Sequence, residues 1–390
     1  MHFKKGPYLQ KPEQDSILIL WETHEPSTGE VHIYDASTPH VPAQKTCEIG
    51  ESCTFRSETK GTFHKVQITG LSAATEYYYE VVCDINSKKV SSGKIPFWTA
   101  PQKGAPLSFV LTAEHGGVGN PNSPYLPPIR ELIRRERPHF IQSVGDLIHI
   151  GTRECDWDTY LFTPFKHLLR SVPLYPCTSN HELSSDATVI PQEQRSEHYR
   201  NYEHFFAFPP SYSYDYGCAH FFVLDCLDFF TNVTHDDQDS WSPCLRPDWK
   251  ECETYRLMEK DLRSSNATWK FVVFHYPPYT TSIFDVRELR VLAPLFEECG
   301  VDIVFNSHAI VYERTHPIKD NQVHPDGVRY LLVGGYGDFD GWFRAKCSSF
   351  TAKLAARPNY VHVALTPWRL ELQAVDYEGK LFDSLVLEKK

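Results

Sequence analysis

The sequence predicts a two-domain α/β (α+β) chain: a β-sandwich over residues 1–101, a linker from Pro101 to Pro106, and a layered α/β domain over residues 106–390. Three observations predict it. The first hundred residues carry short apolar runs about ten residues apart with turn residues between them, the rhythm of an all-β sandwich. Beyond the linker, strand-like runs alternate with helically spaced ones, which indicates α/β layers. A length of 390 residues also exceeds what one ordinary core accommodates.

In the first domain Ile17, Ile19 and Trp21 alternate with Leu18 and Leu20, as in a strand buried on both faces. Val31 with Ile33, Val66 with Ile68, and the run Tyr77 to Val82 continue the series. The segment GLSAATEYYYEV, Gly70 to Val81, resembles the E–F corner of a fibronectin type III domain, and FWTAP, Phe97 to Pro101, resembles its last strand. In the second domain the strand candidates are 108–113, 140–144, 221–225, 270–274 and 301–305, followed by 329–333, 360–365 and 370–375. Ile129, Leu132 and Ile133 have helical spacing after the Pro127-Pro128 start, and 256–263 follows the same logic. A third helix is expected over 288–299, ending at Gly300 as a C-terminal cap. No repeat or low-complexity tract interrupts the chain.

Composition narrows the function. Hydrophobic residues make up 41% and charged residues 23%, a globular balance. A formal net charge of -11 argues against a nucleic-acid groove, which needs basic patches to neutralise phosphates. No apolar run approaches a membrane span, so no membrane partner is expected. The opening Met1-His2-Phe3-Lys4-Lys5 lacks an apolar signal core. Eleven cysteines form no CxxC pair, which removes support for zinc-ribbon and thioredoxin readings. Cys47 with Cys53 and Cys244 with Cys252 are near enough in sequence to close small loops, while reduced, partly buried thiols are the simpler alternative. Together with the sequons at Asn232 and Asn266, the cysteines leave a secreted or periplasmic location as the expectation.

The chemistry sits after the strands. Layered α/β enzymes gather ligands at the carboxyl ends of strands, where loops aim side chains into one crevice. Here those ends carry Glu114-His115, Asp146 with His149, Asn180-His181-Glu182, His275 and His308. Each offers oxygen or imidazole nitrogen to a divalent metal. Taken singly, Asp146 reads as well as a helix cap, Asn180 as a turn residue, and each histidine as a core or surface residue. Five such groups at five strand ends are hard to attribute to packing.

Order and spacing then bring a family into view. AEHGG at 113–117, GDLIH at 145–149, SNHE at 179–182, VVFH at 272–275 and SHAIVYER at 307–314 resemble the five blocks of the purple acid phosphatase branch of calcineurin-like metallophosphoesterases. SYDYGCAHFFVLD, EKDLRSSNATWK, HYPPY and GKLFDSL match as well. The resemblance covers nearly the whole chain. It implies a four-layer α/β/β/α metallophosphoesterase domain behind the sandwich. It further implies that Asp146 bridges two metals, that Asn180, His275 and His308 complete the second metal position, and that His181 contacts substrate and assists the leaving oxygen.

The first metal position departs from the family pattern. Glu114 stands at the DxG acid, His149 replaces a tyrosine, and Ile310 replaces the final histidine, while Ser307 replaces the glycine of GHxH. Loss of the tyrosinate removes the source of the purple ferric colour. Either the position is lost, or it is rebuilt with His149 and His115. A related pattern, DxH, would give His115 the ligand role, whereas the glycine pair aligns Glu114 with the acid. Rebuilding is the favoured expectation, because a tyrosine replaced by His149 keeps coordinating power.

The resemblance therefore implies a metal-dependent hydrolase cleaving a phosphate monoester or pyrophosphate of a small molecule, by attack of a metal-bound hydroxide. The metal set expected is Glu114, His115, Asp146, His149, Asn180, His275 and His308. Two divalent ions are expected, zinc foremost, with copper, iron or manganese at the atypical position. A homodimer is compatible with the chain. The alternatives are a non-catalytic or mononuclear metal- or phosphate-binding relative, and a phosphodiesterase. Tyr276, Tyr279 and the loop Tyr336 to Trp342 are candidate pocket walls, with Trp342 the strongest candidate there for a ligand contact. Tyr212, Tyr214 and Tyr216 read as strand packing, Tyr312-Glu313-Arg314 as a loop brace, and His2, His24, His40 and His64 as structural.

Overall fold

The computed structural model describes residues 3–36, 53–115, 120–183, 195–235, 241–335, 344 and 346–389. One strand, Ile17–Asp35, organises the first domain. Its first part pairs with Phe3–Gln10 and Gly61–Ile68, and its second part with Glu76–Ile85 and Thr54–Arg56. A single segment thus serves two sheets, and their facing sides bury Ile19, Trp21, Val31, Ile33, Val66 and Tyr79. Gly29 permits the arrangement, because a Cβ there would lie 2.3 Å from the Trp21 ring. The Tyr77 hydroxyl accepts the Ser72 N–H at 3.0 Å, which closes the corner read in residues 70–81. The last strand, Ile95–Trp98, pairs with Glu76–Ile85. His64 is buried and stacks on Trp21, a structural role, whereas His24 is exposed. His2 and His40 lie outside the described residues.

The second domain holds two mixed sheets face to face. The first runs in the order Leu174–Tyr175, Phe140–Ser143, Leu107–Thr112, Asn359–Leu365, Arg369–Asp376 and Leu381–Glu388. The second runs Tyr212–Tyr216, Ala219–Val223, Trp269–Val273, Ile303–Asn306, Arg329–Val333, Tyr312–Thr315 and Thr351–Ala355. Phe109 joins them: its ring centroid lies 5.2 Å from that of Phe221, 6.0 Å from Phe271 and 6.3 Å from Phe305. Neighbouring strand residues point the other way. His220 therefore faces outward, where it meets Asp261 of the helix Glu253–Ser264. On the opposite side Tyr360 meets Glu136 of the helix Leu126–Glu136. The order helix, sheet, sheet, helix is the four-layer class expected.

The continuous helix expected over 288–299 is instead a 3₁₀ turn, Arg287–Leu292, followed by a helix, Ala293–Glu298. Pro294 explains the break: it lacks an N–H and is tolerated only in a first helical turn. The strand expected over 221–225 is shifted to Ala219–Val223, and Asp225 leaves it to cap the next turn by accepting the Leu227 N–H. Tyr212, Tyr214 and Tyr216 are strand residues, with Tyr214 stacked on Tyr175 at 3.8 Å.

The sandwich is seated on the segment that follows His149. Lys5 is buried and pairs with Glu22 at 2.6 Å and Asp158 at 3.2 Å, while Tyr8 and Gln10 bond the Phe205 carbonyl. Tyr79 donates to the Arg170 carbonyl at 2.7 Å. No helix among the described residues is long and apolar enough to cross a membrane.

Candidate metal centre

The parallel strands of both sheets end at one place, where Asp146, His275 and His308 meet, and Asn180 opens the short helix Asn180–Leu183 directly after Ser179, whose Oγ reaches Asp146. Gly145 opens its turn at φ +96°, and a Cβ would lie 2.6 Å from His275 Nδ1. Only glycine lets the chain pass that close. Asp146 follows at φ 55° and His308 sits at φ 69°, a left-handed backbone that non-glycine residues rarely adopt. Surrounding bonds hold these turns. Glu182 accepts the N–H groups of Asp146 at 3.1 Å and Leu147 at 2.7 Å, and Ser179 Oγ contacts both the Glu182 and Asp146 carboxyls.

His275 Nδ1 donates to the Val144 carbonyl at 2.9 Å, which fixes the ring with Nε2 turned to the cluster. Nε2 lies 3.4 Å from Asp146 Oδ1 and 3.3 Å from His308 Nδ1. Ligand atoms of Asp146, His275 and His308 all fall within 4.8 Å of one another. Burial, reinforced by His275, pushes the His308 imidazole down to about 3, which keeps it in the neutral form that ligates. Burial opposes ionisation of Asp146, yet His275 and His181 outweigh it and hold this carboxyl well below its usual range. Asn180 Oδ1 is buried with no hydrogen-bond partner. Carboxylate oxygen, amide oxygen and imidazole nitrogen gathered this way are a donor set that a divalent cation fits.

The remaining expected residues are placed differently. Glu114, at φ 61°, turns its carboxyl towards the 307–308 loop, where Oε1 accepts Ser307 Oγ at 2.6 Å and the His308 N–H at 2.7 Å. Burial and then the Asp146 charge raise its pKa well above the ordinary carboxylate range. The His115 ring stacks on Phe165, centroids 4.6 Å apart, and burial pushes its pKa down to about 3. His149 stacks against His181 at 5.4 Å, and its Nδ1 is buried without a partner. None of these three joins the close ligand cluster among the described residues. His181 Nδ1 bonds the His149 carbonyl at 2.6 Å, and its Nε2 lies 3.9 Å from Asp146 Oδ2.

Of the expected pocket walls, Tyr276 packs edge-on to the His308 ring at 4.7 Å. Tyr279 packs instead on Tyr330 beneath Arg290, away from the centre. Tyr336 to Trp342 and Gly116-Gly117 lie outside the described residues. Phe284, which the sequence does not single out, reaches the His308 ring at 5.8 Å. Tyr312 and Arg314, expected to brace a loop, lie instead in the strand Tyr312–Thr315 and bond Asp383 of the strand Leu381–Glu388. Glu182, Ser179 and Ser307 gain their roles only through contacts across the chain; for Glu182 the one sequence signal was an acid directly after the Asn-His pair. Cys244 and Cys252 are both free thiols.

Comparison with known proteins matches both parts of the chain. Residues 115–312 match the calcineurin-like phosphoesterase family, and residues 7–99 match the purple acid phosphatase N-terminal domain. Purple acid phosphatase 15 of Arabidopsis thaliana is 26% identical over 320 residues, covering 72% of this chain and 54% of that protein. The chain thus spans about half the length of that relative. The Fe(3+)-Zn(2+) purple acid phosphatase 12 of the same plant is 24% identical over 85% of this chain and 70% of its own length. The purple acid phosphatase PPD1 from yellow lupin (Lupinus luteus) seeds superposes with a TM-score of 0.75 at 18% identity, covering 98% of this chain and 74% of that one. That likeness is one of fold. With both of its domains matched in the expected order, the chain belongs to the calcineurin-like phosphoesterase family and carries a purple acid phosphatase N-terminal domain in front.

Proposed function

We propose that this protein is a metal-dependent hydrolase of phosphate monoesters or pyrophosphates of small molecules. The observation that carries the proposal is the convergence of Asp146, His275 and His308, whose ligand atoms lie within 4.8 Å of one another, together with the buried, unpartnered Asn180 Oδ1. A divalent cation held there supplies positive charge for the phosphoryl oxygens and a nucleophilic water at neutral pH.

The chain's own groups do the rest. The Val144 carbonyl orients His275, and Glu182 with Ser179 pins the Asp146 turn, so the donors are preorganised. His181 is anchored through Nδ1 and presents Nε2 to the pocket beside Asp146. From there it donates a hydrogen bond to a phosphoryl oxygen and a proton to the leaving group. Local cationic charge, rather than the net charge of -11, governs capture of the anionic substrate.

The test is elemental analysis of the purified chain together with a screen of monoesters, diesters and pyrophosphates across added divalent metals. Turnover of monoesters or pyrophosphate that stops on chelation and in Asp146→Ala is expected. Metal-loaded protein inert towards every phosphate ester overturns the proposal. A second reading, a metal- or phosphate-binding relative without turnover, is favoured by Ile310 and by the Ser307–Glu114 bond in the GHxH region. It predicts that inert outcome.

A further inference from the structure

We infer that this centre holds one cation rather than two, and that the neighbouring position read from Glu114, His115 and His149 is closed. The inference deepens the proposed function and rests on its reading of Asp146, Asn180, His275 and His308 as the ligand set.

Three departures from the family pattern act together. Glu114 is one methylene longer than the aspartate it replaces, and Ser307 carries a hydroxyl where the family has glycine. Those two changes are the two ends of one hydrogen bond, Ser307 Oγ to Glu114 Oε1 at 2.6 Å. The same oxygen takes the His308 N–H at 2.7 Å, so it is committed to the loop. The third change, Ile310, removes a ligand outright. At the neighbouring position, Asp146, already placed in the cluster with His275 and His308, and the other Glu114 oxygen remain, two donors where a catalytic zinc site takes three from the protein.

The two histidines expected to compensate are held elsewhere. His115 lies flat on Phe165, 12° from parallel, with the Arg130 guanidinium over the same Phe165 ring at 5.5 Å. A cation next to that guanidinium would be repelled. His149 is the strongest remaining candidate because of its buried Nδ1, yet its ring lies against His181 and Tyr160, outside the 4.8 Å cluster. The bond between Glu114 and Ser307 thus takes over the bridging task of a second ion, tying the loop after Thr112 to the loop after Asn306.

The experiment counts metal in the full chain. The protein is stripped, reloaded with zinc or manganese, freed of excess ion, and analysed by elemental analysis and native mass spectrometry. One ion per chain is expected in the wild type and in His149→Ala, and none in His275→Ala. Manganese-loaded protein should show the resolved hyperfine lines of an isolated ion rather than the spectrum of a coupled pair. Two ions per chain, falling to one in His149→Ala or Glu114→Gln, overturn the inference and leave the hydrolase proposal standing. A wild type that retains no ion sinks the hydrolase proposal and this inference with it.

Discussion

Ser307 Oγ donates to Glu114 Oε1 at 2.6 Å, joining residues 193 positions apart at the rim of the metal centre. The bond is a direct consequence of two substitutions that each look like damage to a motif. Together they make a buried, satisfied link where the family resemblance implied a ligand. The link is the physical basis for separating the proposed metal position from its neighbour, and the candidate ligand set it leaves behind can be probed residue by residue.

The ligand and proton-donor roles separate cleanly. Asp146→Ala should lose the bound cation and with it at least about a thousandfold in kcat/KM. His181→Ala should retain full metal content while kcat falls about a hundredfold to ten-thousandfold, the range for losing a general acid. Metal analysis beside steady-state kinetics on one phosphate monoester checks both. Loss of metal in His181→Ala would refute its assignment to the leaving group.

Glu182 braces the Asp146 turn through backbone N–H groups. Glu182→Ala strips the acceptor from two buried N–H groups, at a cost of about 1–3 kcal/mol for each. Metal affinity should fall about 10- to 100-fold, as for other residues that orient ligands from behind. Glu182→Gln keeps a carbonyl oxygen and should recover part of both losses. Calorimetric metal titration and thermal melting of the three forms test the pattern.

His220 makes stability pH-dependent far from the site. Burial alone would lower its pKa, but Asp215 and Asp261, each 2.7 Å from one ring nitrogen, outweigh burial and carry it up to about 9. A raised folded-state pKa stabilises fully below the unfolded value of about 6.5, and the stabilisation is lost as pH rises through about 9. His220→Asn should flatten the decline in urea midpoint across that window, a difference of about 1–3 kcal/mol. An unchanged slope would remove His220 from the explanation.

In the sandwich, Tyr77→Phe deletes one hydroxyl and leaves the Ser72 N–H without its partner. A loss of about 1 kcal/mol in unfolding free energy is expected, with metal content unchanged. Chemical denaturation resolves a change of that size.

The strands carrying the site were legible because their apolar runs are short and bounded, and because each is followed by a metal-ligating residue type. The break before Ala293 was missed although Pro294 marks it, since the apolar spacing runs on through the proline. Tyr312–Thr315 and Thr351–Ala355 were not read as strands: both pair antiparallel at one side of the second sheet, where register depends on partners far away in sequence. Tyr279 was read beside Tyr276 by adjacency to His275, yet the turn between them sends the two rings to different neighbours.

The sequence alone determined the fold class and the family, and it singled out Asp146, Asn180, His275 and His308 as candidate ligands, because apolar period and ligand chemistry are local properties of residue type and spacing. Which of the seven expected ligands converge was decided by tertiary structure alone. A carboxylate such as Glu114 can face a cation or a hydroxyl, and an imidazole such as His115 can ligate or stack. The choice depends on what the fold brings within hydrogen-bond reach, here Ser307 for the one and Phe165 for the other.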